Sequence, residues 1–347
     1  MDPVSGGDDK PAVTIYDVAA AAGVSPSTVS RTFSRPGRVS ARTAARIRTV
    51  AQELGYRSDS ISAPALPTRK KALGLLVSDV TNPFYFGIIR GAEKAAAERG
   101  YAMLLIDAQE SQRIEGQMMA RSLPLMDALL VASSRSSDSN LRQLGKQVPT
   151  VVLNRDVQGM PSIVTDNARG MRRAVEHLAG LGHTTIWYVA GPEASWADGM
   201  RWRAMREAGL ELMVNVHRVG PYQPTTRDGH TIAEELLTRG AKAVICYNDL
   251  MAFGLLLALR DRGVAVPEQI SVVGFDNSFG CELVTPALTT VAAPLIRLGE
   301  LGVTNLVGLV NGGRWQSSAA VVVPVTLKVR QSTGPPHPRP PLAPPPV

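Results

Sequence analysis

The chain contains little cysteine and little histidine. Its 347 residues include two cysteines, Cys246 and Cys281, and five scattered histidines. This excludes a disulfide framework, and no histidine stands at metal-ligand spacing from a cysteine, so no metal site is expected. Both cysteines lie in apolar segments, which predicts buried free thiols in a reducing cytoplasm.

Long apolar runs and common catalytic motifs are also missing. No apolar stretch is long enough to span a membrane, and the polar first 12 residues lack the apolar centre of a signal peptide. The sequence has no GxSxG, GxxxxGK(S/T), HExxH or CxxC motif. Gly312-Gly313 does not follow a strand and open a helix, so it predicts no dinucleotide site. We therefore expect no membrane association, no catalytic residues and no cofactor.

Positive charge, by contrast, is concentrated at one end. The net charge is +7, from 37 Lys and Arg against 30 Asp and Glu. Residues 1–71 hold 11 of these basic and 6 of these acidic residues, so a fifth of the chain carries +5. Neutralising the phosphates of a nucleic acid requires such a concentration.

Residues 13–57 have the pattern of a helix-turn-helix domain. Thr14 can cap a first helix, and Asp17 three residues later fits a capping box. The apolar face of this helix consists of three residues at helical spacing: Ile15, Val18 and Ala19. Gly23 then supplies a sharp turn.

A polar second helix follows the turn. Ser25 is its predicted N-cap, and Pro26 occupies the first helical position, where no N–H is needed. The helix runs to about Phe33 and carries small polar side chains and one cation: Ser27, Thr28, Ser30 and Arg31. This pattern is typical of a reader of the DNA major groove. The alternative, two helices packed in an ordinary helical domain, does not explain the concentrated charge.

A third helix and a linker complete this region. Ser40 is the predicted N-cap of the helix and Gly55 its stop. Its buried stripe is predicted to contain four residues: Ala44, Ile47, Ala51 and Leu54. Residues 58–71 are interpreted as a linker, and residues 1–12 as a disordered segment.

From Leu73 onward, apolar runs alternate with amphipathic helices. The first series of runs is LGLLV, YAMLLI, ALLVA and TVVLN, and the second is SIV, TIWYVAG, AVICY and ISVVGF. Continuous apolar strands separated by helices are typical of parallel sheets covered on both faces. Two such series predict two doubly wound α/β lobes.

Polar and aromatic residues follow several of these strands. Ligands of open α/β sheets bind in the crevice at the carboxyl ends of the strands. The candidate ligand contacts are Asn82, Phe84, Tyr85, Arg201, Asn248, Asp249 and Asp276. Aromatic faces combined with Asp, Asn and Arg suit a neutral polyol such as a sugar. Each residue could instead be a helix cap or a packing residue, and Asp249 is placed to cap a helix at 250–262.

A series of short motifs extends from Val13 to Thr333. They are VTIYDVAAAAGVSPSTVSR, RVSARTAARI, ELGYR, NPFYFGIIRGAE, EHLAGLGHTTI, YNDLMAFG, VPEQISVVGFDN, PALTTV and VRQST. In this order and spacing they resemble the lactose/galactose repressor (LacI/GalR-type) family of transcriptional regulators. SWADGMRWR and GPYQPT resemble a sugar-responsive branch of the family.

The resemblance implies a homodimeric repressor. Each headpiece would read half of a near-palindromic double-stranded operator, and the core at 72–333 would resemble periplasmic sugar-binding proteins. Its lobes would be 72–165 with 295–323, and 166–294 with 324–333. A small sugar or sugar derivative between the lobes would change operator affinity, either by releasing the DNA or by being required for binding.

The resemblance also assigns contacts residue by residue. The family's base-reading pair is matched by Pro26 and Ser27, with Thr28 and Arg31 beside them, and the guanidinium of Arg31 could bond a guanine edge bidentately. Phosphate-contacting positions are matched by Tyr16, Ser25, Ser30, Ser34, Ser40 and Thr43. Arg38 matches a position that often contacts a base or the backbone. Effector-cleft positions are matched by Phe84, Tyr85, Arg201, Asn248 and Asp276.

The linker departs from the family pattern. The family's linker forms a hinge helix whose leucine wedges into the minor groove. Here Ala65 holds that position and Leu66 follows, flanked by Pro64 and Pro67, and a proline past the first turn costs a helix about 3 kcal/mol. The hypothesis is a short hinge helix from near Asp59 to before Pro64, with Leu66 as the wedge or a weaker DNA bend.

The tail departs as well. Residues 334–347 are dominated by proline, which predicts an extended, disordered segment. Such a tail cannot form the coiled coil that makes some family members tetramers, so we expect a dimer.

Three functions fit a bilobed α/β protein. A ligand-responsive repressor accounts for the basic headpiece. An exported sugar receptor predicts a signal peptide and no headpiece, and both expectations fail. An enzyme predicts turnover of a bound sugar and a catalytic pair in the cleft, which a sensor does not need. The sequence favours a non-enzymatic regulator in the bacterial cytoplasm, associated with the nucleoid when bound to DNA.

Overall fold

The computed structural model of the chain describes residues 13–34, 39–54, 56, 69–315, 317 and 319–336. The chain divides into two compact units, Met1–Arg69 and Lys70–Val347. The predictions for residues 1–12, for Gly55, for most of the linker and for the end of the tail lie outside the described residues. The same holds for Arg38 and Leu66.

The first unit contains three helices, α1 Ile15–Ala22, α2 Pro26–Ser34 and α3 Ala41–Glu53. They enclose a small apolar core of Val18, Ala19, Ala22, Val29, Ile47 and Ala51. Leu54 was predicted to be buried, and this is wrong: it is 38% exposed, because α3 ends at the residue before it.

Local contacts fix the ends of these helices, as predicted. The backbone N–H and the hydroxyl of Thr14 donate to Asp17 Oδ2 at 2.7 and 2.6 Å. Gly23 ends α1 with a φ of 63°, a left-handed conformation that favours glycine. Ser25 and Ser40 cap α2 and α3, each accepting a backbone N–H from three residues later at 3.3 Å.

The N-terminal lobe of the second unit is built on a six-stranded sheet. Its strands are β1 Ala72–Val77, β2 Ala102–Asp107, β3 Ala128–Ala132, β4 Thr150–Leu153, β5 Ser162–Thr165 and, from late in the chain, β11 Val321–Val323. They pair in parallel in the order β11-β5-β4-β3-β1-β2. Helices α4 Phe84–Ala97 and α11 Leu295–Val310 pack on one face, and α5 Gln112–Ser122 and α6 Asp138–Gly145 on the other.

The C-terminal lobe repeats this plan. Its strands are β6 Thr185–Val189, β7 Asn215–Val219, β8 Ala243–Cys246, β9 Ser271–Asp276, β10 Thr289–Ala292 and β12 Thr326–Lys328. Their order is β12-β10-β9-β8-β6-β7, and β12 alone among them runs antiparallel. The helices of this lobe are α7 Asn167–Gly180, α8 Trp196–Glu211, α9 Gly229–Thr238 and α10 Asp249–Asp261. The prediction of two doubly wound lobes is confirmed.

Two glycines allow α4 and α11 to approach closely. A Cβ at Gly91 would lie 2.0 Å from the carbonyl oxygen of Ile296, and one at Gly299 would lie 2.2 Å from that of Ile88. Neither position therefore tolerates a side chain without separating the helices. This packing joins α11, which lies more than 190 residues later in the chain, to the first helix of the lobe.

The last two residues of the predicted linker belong to the second unit. The backbone N–H groups of Lys70 and Lys71 donate to Asp127 Oδ1 and Oδ2 at 2.8 Å each. Cys246 and Cys281 are buried free thiols, as predicted, and burial raises the pKa of each. Within the described part of the chain, no helix has both the length and the apolarity to cross a membrane.

Candidate DNA-reading surface and effector cavity

The exposed face of α2 carries residues predicted to read bases. Ser27 and Arg31, one turn apart, are exposed, whereas Val29 and Thr32 are buried. The hydroxyl oxygens of Ser25 and Ser27 lie 2.9 Å apart at the start of the helix. The other candidates on this helix are half-buried: Pro26, Thr28 and Ser30. The helix thus presents hydroxyls and a guanidinium to solvent, groups that hydrogen-bond base edges.

Candidate phosphate contacts lie on α1 and at the start of α3. Tyr16 is 70% exposed, and the hydroxyl oxygens of Ser40 and Thr43 lie 2.8 Å apart. Helix α3 adds three exposed cations that sequence reasoning did not single out: Arg42, Arg46 and Arg48. Guanidinium groups bind phosphate bidentately, so these arginines extend the candidate surface. Ser34 is the last residue of α2, but its side chain is not among the described parts of the structure, and neither is Arg38.

A cavity lies between the two lobes of the second unit, beyond the carboxyl ends of their strands. It encloses about 20 Å³, room for about one water molecule. The N-terminal lobe contributes Asn82, Phe84, Tyr85, Glu110, Ser133, Arg135 and Asn154. The C-terminal lobe contributes Arg201, Pro224, Tyr247, Asn248 and Asp276. The structure therefore brings together all the predicted effector contacts except Asp249.

Arg201 is fixed in the C-terminal wall of this cavity. Its guanidinium lies 3.6 Å from the centre of the Phe275 ring and 5.0 Å from that of Tyr247. Nε donates to Asn167 Oδ1 at 2.9 Å, and Nη1 donates to the carbonyl oxygen of Tyr247. Nη2 lies 3.7 Å from Asp276 Oδ1. A cation with several directed donors is thus held out of water.

Asp276, the last residue of β9, has an unusual backbone conformation. Its φ is 120°, which a residue with a Cβ rarely adopts and which costs backbone energy. Burial raises the pKa of Asp276 well above 3.8; the positive charge of Arg201 opposes this rise, and Asp249 adds to it. The carboxyl group is therefore a poorly hydrated partner for a ligand hydroxyl.

Asn82 and Asn248 each accept a backbone N–H at the start of a helix and also line the cavity. Asn82 Oδ1 accepts the backbone N–H of Phe84 at 3.0 Å, and Asn248 Oδ1 accepts that of Met251 at 3.0 Å. Asn248 Nδ2 donates to the carbonyl oxygen of Pro224 at 3.2 Å. Capping was the alternative to a binding role, and here the same side chains bond helical N–H groups and lie in the cavity wall.

Aromatic rings supply the apolar part of the wall. The rings of Phe84 and Tyr85 meet edge to face with 5.0 Å between their centres. Both residues are buried, and burial raises the pKa of Tyr85, with Arg135 opposing that rise. Tyr247 contributes a further ring from the C-terminal lobe. Such faces suit the C–H surface of a sugar ring.

Asp249 lies inside the C-terminal lobe rather than in the cavity wall. Its Oδ1 accepts the Thr290 hydroxyl at 2.6 Å, and its Oδ2 accepts the backbone N–H of Ser278 at 2.7 Å and the Cys281 thiol at 3.1 Å. The prediction of a direct effector contact does not agree with this position. Asp249 instead braces the segment that follows β9.

Sequence reasoning missed five polar residues of the wall: Glu110, Ser133, Arg135, Asn154 and Tyr247. Each follows the carboxyl end of β2, β3, β4 or β8 by one to three residues. The rule that identified Asn248 and Asp276 would have found them if it had been applied to every strand.

Both units match models of known protein families. Residues 14–59 match "Bacterial regulatory proteins, lacI family", and residues 175–333 match "Periplasmic binding protein-like domain". Over 332 residues the chain is 32% identical to the HTH-type transcriptional regulator DegA of Bacillus subtilis (strain 168). This match covers 93% of the chain and 98% of DegA.

Solved structures give a similar result. The complex of the transcriptional regulator CelR with cellobiose is 30% identical, with a TM-score of 0.67, and the match covers 92% of this chain and 99% of CelR. The lac repressor dimer bound to operator and the anti-inducer ONPF is 26% identical, with a TM-score of 0.69. That match covers 93% of this chain and 100% of the repressor chain.

Proposed function

The chain belongs to the lacI family of bacterial regulatory proteins, and we propose that it is a repressor controlled by a small sugar-like effector. Like the relatives that match over nearly its whole length, it is a DNA-binding transcriptional regulator and not an enzyme. The observation that carries the effector proposal is the polar cavity between the lobes, to which each lobe contributes one arginine and one carboxylate.

We propose that α2 enters the major groove of the operator. Pro26, Ser27, Thr28 and Arg31 would read bases. Phosphates would be held by Tyr16, Ser25, Ser30, Ser34, Ser40 and Thr43. The exposure of Ser27, Arg31 and Tyr16 supports these roles. Arg38 remains a proposed DNA contact on the family pattern alone, and Leu66 remains a proposed wedge one residue after the position of the family's leucine.

The effector proposal follows from the chemistry of the cavity. Phe84 and Tyr85 would cover the apolar face of a sugar ring, while Arg201, Asn248 and Asp276 would bond its hydroxyls. The relative CelR was solved with a disaccharide. Because the cavity has room for about one water, a sugar can enter only if the lobes separate or wall side chains move.

That rearrangement would couple the cavity to the headpiece. An effector changes operator affinity only by its difference in affinity between the DNA-bound and free conformations. Such couplings are typically about 1–3 kcal/mol, or roughly 5- to 150-fold. The effector binds only when the cavity is open. Its affinity for the DNA-bound and free conformations therefore differs if operator binding favours either the open or the closed cavity.

We also propose a homodimer formed through the core. Phe86 and Phe279 stack with 6.4 Å between ring centres although they are 47% and 66% exposed. Ile296, 52% exposed, lines a surface groove together with Phe86 and Phe279. Exposed apolar patches of this kind mark interaction sites. The similar lac repressor was solved as a dimer bound to its operator.

The domain assignment remains a proposal in its details. The headpiece would be 13–57, the linker 58–71 and the core 72–333. The contacts of Lys70 and Lys71 shorten the linker by two residues and add them to the core. A regulator of this family without a membrane partner would act in the cytoplasm and associate with the nucleoid when bound to DNA.

A binding experiment tests the proposal. Selection of random double-stranded DNA for binding to the pure protein yields its operator. Thermal unfolding in the presence of individual sugars and sugar derivatives identifies effectors. We expect a compound that raises the melting temperature to change operator affinity within the range above. A stabilising compound that leaves operator affinity unchanged would contradict the proposed regulation.

A further inference from the structure

An ion pair closes the N-terminal side of the cavity. Arg135 donates from Nε to Glu110 Oε2 at 2.6 Å and from Nη2 to Glu110 Oε1 at 3.1 Å. The two side chains are only 6% and 15% exposed. This two-bond geometry is the one in which arginine recognises a carboxylate or phosphate. Glu110 therefore occupies the position at Arg135 that an anionic group of a ligand would take.

Arg135 is the fixed partner of this pair. Its backbone N–H donates to the buried Glu115 at 3.2 Å, and its Nη1 donates to the carbonyl oxygen of Ser133 at 3.3 Å. The Ser134 hydroxyl donates to the same Glu115 at 2.6 Å. These contacts hold the arginine whether or not Glu110 is present.

The loop that carries Glu110 has an unfavourable backbone conformation. Gln109 and Glu110 are consecutive and have φ values of 50° and 54°. Residues with a Cβ rarely enter this left-handed region, and then mostly as single residues. Strain of this kind persists only where surrounding contacts enforce it. Here these are the bonds from Arg135 to the Glu110 side chain and the bond from the Glu110 backbone N–H to the carbonyl oxygen of Ser78 at 2.6 Å. Release of the Glu110 side chain would remove one of these constraints.

Glu110 also separates the cavity from a larger groove. It lines both the cavity of about 20 Å³ and an open groove of about 830 Å³. The groove is bordered by Asp79 and Gln109 of the N-terminal lobe and by Thr225, Arg227 and Asp228 of the C-terminal lobe. Rotation of the Glu110 side chain into the groove would join the two spaces and return its carboxylate to water.

We propose that the effector carries an anionic group, and that the Glu110 carboxylate occupies the place of this group at Arg135 until the effector displaces it. This inference rests on the proposed function. A neutral sugar that displaced Glu110 would leave the buried cation of Arg135 without a counter-ion, which is unfavourable. A carboxylate or phosphate on the sugar restores the pair and leaves Arg201 and Asp276 for the hydroxyls.

Matched pairs of sugars test the inference on the intact protein. Isothermal titration at constant ionic strength compares D-glucose with D-glucuronate and glucose 6-phosphate, D-galactose with D-galacturonate, and D-ribose with ribose 5-phosphate. We expect an anionic member to bind at least about tenfold more tightly than its neutral counterpart, since a charge-assisted bond is gained. The acid and phosphate arms distinguish the two anions. Failure of every anionic member to bind, or equal or tighter binding of the neutral members, would overturn the inference.

Two variants locate the effect. Glu110→Gln keeps the shape of Glu110 but removes its charge, so the anionic sugar should bind about tenfold more tightly. Glu98→Gln, a change of an exposed carboxylate, is the control and should bind as wild type does. Arg135→Gln should abolish the preference for the anion, and Arg135→Lys should restore part of it.

The outcomes separate this inference from the proposed function. Weaker binding of the anionic sugar by Glu110→Gln would show that Glu110 contacts the effector directly, and the inference would be wrong. A neutral sugar that binds and changes operator affinity would support the proposed function while removing the inference. The comparison of sugars on wild type decides the inference even if a variant does not fold.

Discussion

Arg201 and Asp276 approach to 3.7 Å between Nη2 and Oδ1 in the cavity wall, with only 3% and 7% of their side chains exposed. Neither group reaches bulk water, so each depends on the other and on the dipoles around it. A ligand in the cavity would therefore meet a guanidinium and a carboxyl group that are already in position. Binding would not have to order these side chains, which favours affinity.

Arg201→Ala should lose the effector response and keep operator binding, because the cavity and the headpiece belong to different units. Removing one partner of a buried ion pair should also lower the free energy of unfolding by about 3–5 kcal/mol. Operator titration with and without effector, together with urea unfolding, measures both effects. Arg203→Ala, exposed on the same helix, is the control and should change neither. Loss of operator binding with an intact response would place the effector site elsewhere.

Ser27→Ala should change which operators are preferred, whereas Tyr16→Phe should weaken binding to all operators about equally. Base edges differ between sequences and phosphates do not, so only the first variant alters sequence preference. The cost for Ser27→Ala should be about 1–3 kcal/mol at one base position. Selection of both variants on random DNA measures the preference. A changed preference in the Tyr16 variant would contradict its assignment to phosphate.

Phe279→Glu should weaken the proposed dimer, since it places a charge in the stacked Phe86–Phe279 patch. Met213→Glu is the matched control, because Met213 is 91% exposed and lies outside this patch. Sedimentation at a series of protein concentrations measures the dissociation constant. We expect the Phe279 variant to be monomeric at concentrations where the Met213 variant is dimeric. Equal dimerisation of the two would place the interface on another surface.

Acid should destabilise the core through two histidines, His183, which is buried, and His177, which is half-buried. Burial lowers the pKa of His183 below 6.5, although the carbonyl oxygen of Gly334, 2.9 Å from Nε2, opposes this shift. Burial lowers the pKa of His177 as well. Folding therefore favours the neutral form of both side chains, so their contribution to the free energy of unfolding is complete above a pH of about 6.5 and is lost as the pH falls.

Urea unfolding at pH 7.5 and at pH 5.5 tests this dependence. Wild type should lose more free energy of unfolding between these two values than His183→Gln does, because the variant has no group to protonate at this position. His230→Gln is the control, since His230 is 63% exposed. A His183 variant with the same pH dependence as wild type would contradict the prediction.

Features that depend on neighbouring residues could be predicted from the sequence. The bonds between Thr14 and Asp17 and the caps at Ser25 and Ser40 join residues three positions apart, so a short motif contains both partners. Buried strands such as β3 were found for a similar reason, because every residue of Ala128–Ala132 is apolar and buried.

Features that depend on distant residues could not be predicted. Asp249 follows a strand just as Asn248 does, but its partner Thr290 lies 41 residues later and turns its carboxylate away from the cavity. Arg135 and Glu110 come from different loops, so no local motif indicates that they pair. Strand β7 was missed because it is an edge strand with mostly exposed residues and therefore has no continuous apolar run.

A chain that lacks residues 1–69 shows whether the headpiece alone carries operator recognition, because the second unit begins at Lys70. We expect this chain still to bind the effector found for the intact protein. We also expect it to lose specific operator affinity, which in DNA-binding proteins is typically about 10³- to 10⁷-fold above non-specific binding. Operator binding as tight as that of the intact protein would contradict the account.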